Sequence, residues 1–384
     1  MQVILTLSIG LLRPSVYLSP LTSAEAGPVS CLRAPLTYRQ VMNVWELLEL
    51  PGLDESLVRV EAELRRAVAA PEPLLSEVAS HLVAAGGKRL RPALLVAAAA
   101  TAGSPLTDDV VAGAVSVELV HMGSLYHDDV IDEADSRRGG PSANARWGNL
   151  VAILAGDFLL ARASEIAAGL GPEVVRVLAG TIGRLCQGEL SQLQYAFSAR
   201  RTEEAYLQAI SSKTASLLSA STRIGALVAG ATSPQVEALS SFGHAFGMAF
   251  QIWDDVNDLV RTEAELGKPA GHDILEGTYT LPVIRALADP EVGPEISALL
   301  GRHLGSPELD KVRALVLSSG AIPSSIEEGR RWASKAEEAL DALGLSSVST
   351  NGHSPSGAPS SDAARATLAG VAHQLFDDLD ARAR

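Results

Sequence analysis

The chain has little that would stack on bases, cross-link or span a bilayer. Aromatic residues make up 4% of its 384 positions, too few for the stacking platforms of single-stranded nucleic-acid binders. Two cysteines, Cys31 and Cys186, stand far apart without a CxxC pair. That argues against a disulfide scaffold or a zinc site and fits a reducing, cytoplasmic setting. Basic residues are in deficit, 31 against 45 acidic, a formal charge of −14. A nucleic-acid footprint needs the opposite balance, so any anionic ligand must be held by local cations or by metal ions. The longest apolar stretch, residues 3–12, is about half of the ~20 residues a membrane helix requires. No lysine or arginine precedes it as in a signal peptide. Residues 1–41 read as a non-globular extension, with Met42 as an alternative initiator.

What is present is helix. Hydrophobic residues reach 47% and charged residues 20%, enough to bury a large core. From about Glu46 onward alanine and leucine dominate, and no segment alternates in the manner of a strand. Residues 57–70 carry a helical stripe at Leu57, Val60, Leu64 and Val68. Pro92 opens an apolar helix over 92–102. Further helices are predicted over 108–132, 149–170, 173–197, 202–230 and 234–260. The segment 346–361, SSVSTNGHSPSGAPSS, is of low complexity and reads as a loop. No fixed-period repeat suggests a solenoid. The fold class expected is a single large all-α domain over 42–384.

Two acidic clusters carry the chemistry. Asp128-Asp129-Val-Ile-Asp132 and Asp254-Asp255-Val-Asn-Asp258 both have the form DDxxD inside apolar helices. Positions i, i+1 and i+4 fall at about 0°, 100° and 40° around a helix axis, so each triplet is expected to share one sector. A solvated acidic turn explains one such cluster; it does not explain two set among apolar residues. Carboxylates so close repel one another, and hard divalent cations with oxygen ligands, Mg²⁺ above all, answer that repulsion. EF-hand spacing and a Walker-type phosphate loop are both absent. Mg²⁺ held by few carboxylates keeps positions open for phosphate oxygens, so two facing clusters predict a diphosphate ligand.

Matching cations follow. Gly86-Gly-Lys88-Arg89-Leu-Arg91-Pro92 sets three of them before a helix, where glycines and exposed N–H groups favour anions. Arg137-Arg138, Lys213-Thr214 and Lys268-Pro269 are weaker signals taken singly. His121 lies two helical turns before Asp128.

Taken in order, GGKRLRP, VELVHMGSLYHDDVIDEADSRRG, GNLVAILAGDFLLARA, KT and FGMAFQIWDDVNDL resemble the trans-isoprenyl diphosphate synthases, or polyprenyl synthetases, over roughly residues 74–287. The resemblance implies antiparallel helices around a deep central cavity, usually in a homodimer. It implies that Asp128, Asp129, Asp132, Asp254, Asp255 and Asp258 bind Mg²⁺ bridging an allylic diphosphate. Arg137, Lys213, Thr214, Gln251 and Lys268 would hold that diphosphate, and Lys88, Arg91, His121 and Arg138 would hold isopentenyl diphosphate. Asp128, Asp129, Asp132, Lys213, Asp254, Asp255 and Lys268 would then carry catalysis. The reaction would be ionisation of the allylic C–O bond, attack by the isopentenyl double bond, and proton loss to the released pyrophosphate. One departure stands out: where the family often reads DxxxGKxTLP, this chain has Asp273-Ile-Leu-Glu-Gly277-Thr278-Tyr-Thr280-Leu-Pro282, with Thr278 in the lysine's place.

Gly123 and Ser124, five and four residues before Asp128, lie where short-chain members commonly put a bulky aromatic floor. Small residues there imply an open tunnel and a long all-trans product of the kind that tails a quinone; the alternative is a farnesyl or geranylgeranyl product. The second metal motif of terpene cyclases requires Ser or Thr at 261, where Arg261 stands, and head-to-head synthases lack the GGKRLRP site. A non-catalytic partner subunit would lack the aspartates. No membrane anchor is encoded, although a greasy product allows peripheral contact.

Overall fold

The computed structural model describes residues 48, 50–266, 269–343, 360–377 and 379. The extension 1–41, Met42, Lys268 and most of the loop expected at 346–361 lie outside the described residues. All that is described belongs to one unit of the chain, Gln40–Arg384.

The unit is helical almost throughout. In order come α1 (Leu53–Ala67), α2 (Pro73–Ala84), α3 (Leu90–Thr101) and α4 (Asp108–Ile131), then a short hairpin of β1 (Ser136–Arg137) and β2 (Gly140–Pro141). There follow α5 (Ala143–Trp147), α6 (Asn149–Leu170), α7 (Pro172–Gln194), α8 (Glu203–Ile210), a π-helical turn (Ser211–Ala215), α9 (Ser216–Val228) and α10 (Ser233–Val260). The remainder is α11 (Glu263–Leu266), α12 (His272–Leu275), α13 (Leu281–Leu287), α14 (Gly293–Leu299), α15 (Ser306–Ser318), α16 (Ala321–Asp341) and α17 (Ser361–Gln374).

Two long helices bear the aspartates, and local chemistry fixes where each begins. Thr107 caps α4 by accepting the Val110 N–H, and Asp108 and Asp109 sit in its first turn, where the helix dipole favours negative charge. At the start of α10, Gln235 reaches back to the Thr232 N–H at 2.9 Å, half of a capping box. Neither helix is one-sided. From Val110 to Tyr126 most of α4 is buried around its whole circumference, and α10 is buried similarly from Phe242 to Leu259. Helices apolar on all faces belong at a centre: α4 packs among α1, α3, α6 and α9, and α10 among α9, α13, α16 and the π turn.

Small residues set the spacing between these rods. A Cβ on Gly225 of α9 would lie 2.3 Å from the Leu95 carbonyl oxygen of α3, and one on Gly247 of α10 would lie 2.6 Å from Ala215 Cα. Such contacts leave room for nothing larger and hold α9 against α3 and α10 against the π turn.

The helices expected from sequence are found, with shifted ends. The first runs over Leu53–Ala67, and α7 stops at Gln194 because Phe197 takes a left-handed φ of 56°. The segment expected as one helix over 202–230 is helical from Glu203 to Val228, widened at Ser211–Ala215 by the π turn. The hairpin was not expected, since two-residue strands have no periodicity to detect. Its turn, Arg138-Gly139, has φ of 53° and 78°, the signature of a type I′ connection.

Candidate active site

The acidic ends of α4 and α10 face one cavity of about 350 Å³. Asp128 and Asp132 line it from α4, Asp254 and Asp255 from α10, and Lys213 and Thr214 from the π turn between α8 and α9. Asp273 of α12 and Glu276, Thr278 and Thr280 after it also line the cavity.

The triplets are not uniform, which corrects the expectation that each triplet shares one sector of its helix. Asp129, 100° around α4 from Asp128, is fully buried and turned away from the cavity. Arg137 Nε and Nη2 hold it at 2.6 and 2.5 Å. On α10, both oxygens of buried Asp255 are engaged, one by the Tyr206 hydroxyl (2.5 Å) and the other by Gln251 Nε2 (2.8 Å). Gln251 in turn accepts from the Thr214 hydroxyl at 2.6 Å. Asp258 lies below the cavity, where it accepts the Asp273 N–H at 3.2 Å. Asp128, Asp132 and Asp254 therefore open onto the cavity, while Asp129, Asp255 and Asp258 brace the groups around it.

The electrostatics favour a cation. Burial pushes Asp128 up to about 6; Lys213 opposes this, and Glu189 and Asp132 reinforce it. Asp132 and Asp129 are raised in the same direction, chiefly by burial, and burial lifts Asp255 to about 7. Hard oxygen donors gathered on one cavity suit Mg²⁺ or a similar ion. Among the described residues no three His, Cys, Asp or Glu side chains converge as a ready-made metal shell.

Lys213 shows how the sequence aims a cation. An α-helical turn would close over it, but here i→i+5 bonding widens the turn. Gly188 of α7 fits against the bulge: a Cβ there would lie 2.7 Å from the Lys213 nitrogen. Glu189 holds the ammonium at 2.5 Å. Burial works against the lysine's charge, yet Glu189 and Asp128 prevail and raise its pKa.

The second set of predicted cations gathers beside the first. Arg138 is carried by the hairpin to the glycine loop, where it donates to Leu82 O (3.0 Å) and to Gly86 O. His121 lies in the field of Arg91, Arg138, Arg89 and Arg137; burial and these charges together keep it well below its ordinary pKa and hence neutral. Burial lowers Arg91 to about 10, and its Nε has no partner. Lys88 is exposed at the edge of this group. Arg89, between them, takes a left-handed φ of 45° and turns inward to Glu61 and Glu118, at 2.9 Å each.

Sequence reasoning missed Glu189, Arg201, Tyr206 and the Glu61–Arg89–Glu118 cluster. None belongs to a spaced motif, and each meets its partner only through the fold. Ser124 sits one turn before Asp128 as expected, its hydroxyl bonded to His121 O at 2.9 Å. Gly123 faces α6, where a Cβ would meet Gly156 O at 3.1 Å and Leu160 at 3.2 Å. It is first a helix-contact position. Lys268 lies outside the described residues.

The family model of polyprenyl synthetase matches residues 72–316. "Heptaprenyl diphosphate synthase component 2" of Geobacillus stearothermophilus is 44% identical over 292 residues, 76% of this chain and 91% of its own. The nonaprenyl diphosphate synthase of Mycobacterium tuberculosis is 42% identical over 269 residues, 70% and 79% of the two chains. Among solved structures, a decaprenyl diphosphate synthase from Rhodobacter capsulatus matches with a TM-score of 0.74 at 34% identity, covering 87% of this chain and 99% of that one. A polyprenyl synthase from Caulobacter crescentus CB15, complexed with calcium and isoprenyl diphosphate, matches with 0.74 at 32% identity, covering 88% and 98%.

Proposed function

This chain belongs to the polyprenyl synthetase family, and on that premise we propose that it condenses isopentenyl diphosphate head-to-tail with an allylic diphosphate to give a long all-trans polyprenyl diphosphate. The observation that carries the reading is the pair of acidic helix ends, Asp128 and Asp132 against Asp254 and Asp255, facing one cavity together with Lys213 and Thr214.

In this reading Asp128, Asp132 and Asp254 hold Mg²⁺, with Asp129, Asp255 and Asp258 fixing the surrounding groups. The calcium in the Caulobacter complex is a divalent charge of the same ligand preference. Bound Mg²⁺ supplies positive charge to the leaving diphosphate. Lys213, Thr214 and Gln251 hold that diphosphate; Arg137 orients Asp129 and faces the same cavity; Lys268 adds a further cation. Arg91, Arg138 and Lys88 bind isopentenyl diphosphate, and neutral His121 donates a hydrogen bond without adding charge. The apolar bodies of α4 and α10 exclude water from the allylic cation. Pyrophosphate takes the proton, so no side-chain base is required.

The small residue at Ser124 and the hepta-, nona- and decaprenyl synthase relatives support a long product. No described helix is long and apolar enough to cross a membrane. We propose a homodimer, with the apolar side chains that α6 leaves exposed, Leu150 at 72% and Leu154 at 56%, as part of the face a second copy would cover.

The test incubates the purified chain with farnesyl diphosphate, labelled isopentenyl diphosphate and Mg²⁺. Products are dephosphorylated and sized, and the oligomer is weighed by light scattering. Long labelled products from a dimer of this chain alone are expected. Absence of transfer would overturn the reading, and activity only with a second protein would overturn the homodimer.

A further inference from the structure

Arg201 is 6% exposed and lines the acidic cavity, yet it belongs to no motif. It has no carboxylate partner among the described residues. Nη1 donates to the Tyr279 carbonyl at 3.2 Å, the guanidinium lies over the Tyr206 ring at 5.4 Å, and Nε is buried without a partner. Asp255 acts on it only through its field, since that carboxylate is taken by Tyr206 and Gln251. A buried guanidinium compensated by one carbonyl and a ring face is under-served, because its fork suits an anion's paired oxygens.

Its position is fixed from both sides of residue 278. The Phe197 N–H donates to Gly277 O at 2.8 Å, while Arg201 bonds Tyr279 O. Gly277, at φ 73°, admits the Phe197 ring, which a Cβ would meet at 2.6 Å. The segment before α8 is thereby stapled to the segment around Thr278, and the arginine is delivered to the cavity beside a residue that brings no charge of its own.

We propose that Arg201 is a ligand of the allylic diphosphate, supplying from the loop before α8 the cation that Thr278 does not provide. This deepens the proposed function and rests on it. Arg201 lines the same cavity as Lys213 and Thr214, whose lining includes none of Arg91, His121 and Arg138 of the isopentenyl site.

The experiment compares the full chain with Arg201→Gln, Thr278→Lys and the double variant. It reads the KM for farnesyl diphosphate, the KM for isopentenyl diphosphate, and calorimetric binding of pyrophosphate with Mg²⁺. Arg201→Gln is expected to weaken farnesyl diphosphate and pyrophosphate about 10- to 100-fold, the worth of a charge-assisted hydrogen bond, and to move isopentenyl diphosphate less than about twofold. Thr278→Lys in the Arg201→Gln background should recover most of that loss, which a packing role would not allow. Unchanged pyrophosphate binding in folded Arg201→Gln would overturn the proposal, as would a loss common to both substrates that Thr278→Lys leaves unrepaired. Wild-type chain that binds pyrophosphate without prenyl transfer would sink the function, leaving the calorimetric comparison to decide Arg201.

Discussion

Replacing Asp128 by asparagine sets the stability of the metal-free fold against its chemistry. Burial, with Glu189 and Asp132 nearby, raises this carboxyl from 3.8 to about 6. A folded pKa above the unfolded one means that the favourable contribution is present below the unfolded value and is lost as pH rises through the folded one. At pH 7.5 without metal the ionised carboxylate therefore works against folding. The shift of roughly two pKa units corresponds to about 3 kcal/mol, which partial solvation reduces to about 1–3 kcal/mol. The asparagine amide carries no charge, so Asp128→Asn should stabilise the metal-free protein by that amount. Taking about 2 cal/mol/K per residue over the ordered helices, the melting temperature rises by about 2–5 °C. The gain should fade below about pH 4, where the wild-type group is protonated in both states. Mg²⁺ should raise the wild-type melting temperature more than the variant's, and prenyl transfer should fall by at least about 100-fold. Asp129→Asn is the contrast: it relieves a buried charge of the same raised sense but loses the Arg137 contacts at 2.6 and 2.5 Å, so any gain should be smaller than that of Asp128→Asn. Calorimetric melts in chelator at pH 7.5 and pH 4 read the stabilities, melts with added Mg²⁺ read the metal effect, and a transfer assay reads the activity. If Asp128→Asn melts below wild type at pH 7.5 without metal, the account of these carboxylates is wrong.

Further outcomes follow from particular contacts. Gly188→Ala presses a methyl into the Lys213 backbone at 2.7 Å; turnover should drop about tenfold or more while circular dichroism stays helical. Ser124→Phe should shorten the main product without unfolding the chain, an unchanged product length counting against the open tunnel, whereas Gly123→Phe should cost about 1–3 kcal/mol by overpacking against α6. Glu118→Ala leaves Arg89 with only Glu61 and should destabilise by about 3–5 kcal/mol, measurable in urea, with a weakened KM for isopentenyl diphosphate because Lys88 and Arg91 flank Arg89 in its left-handed turn.

Most of the helices were legible because their signals are local. Thr107 before Asp108, Pro92 at a helix start and the glycine-proline stop before α7 act within a few residues, and the observed bounds fall near them. Both DDxxD clusters were legible because helical spacing brings Asp128 and Asp132 to one face. The same geometry sends Asp129 elsewhere, and only its partner Arg137, delivered by a two-residue hairpin, reveals its task. Partners distant in sequence were not legible: Glu189 finds Lys213 because Gly188 lets α7 nest against a π turn, and Tyr206 finds Asp255 because α8 crosses α10. A π turn leaves no mark on periodicity beyond a slight drift, so 202–230 reads as one helix.

That widened turn has a consequence of its own. A π turn is an α-helix holding one residue too many, so excising a single residue from Ser211–Ala215 would allow α8 and α9 to join in regular register. The uninterrupted rod should be easier to form than the native one, and everything beyond the cut would swing by about 100° around its axis. The ammonium that now overlooks the cavity would leave it. In this stretch the chain carries a helical defect in exchange for direction, so selection for thermal robustness alone would be expected to erase it.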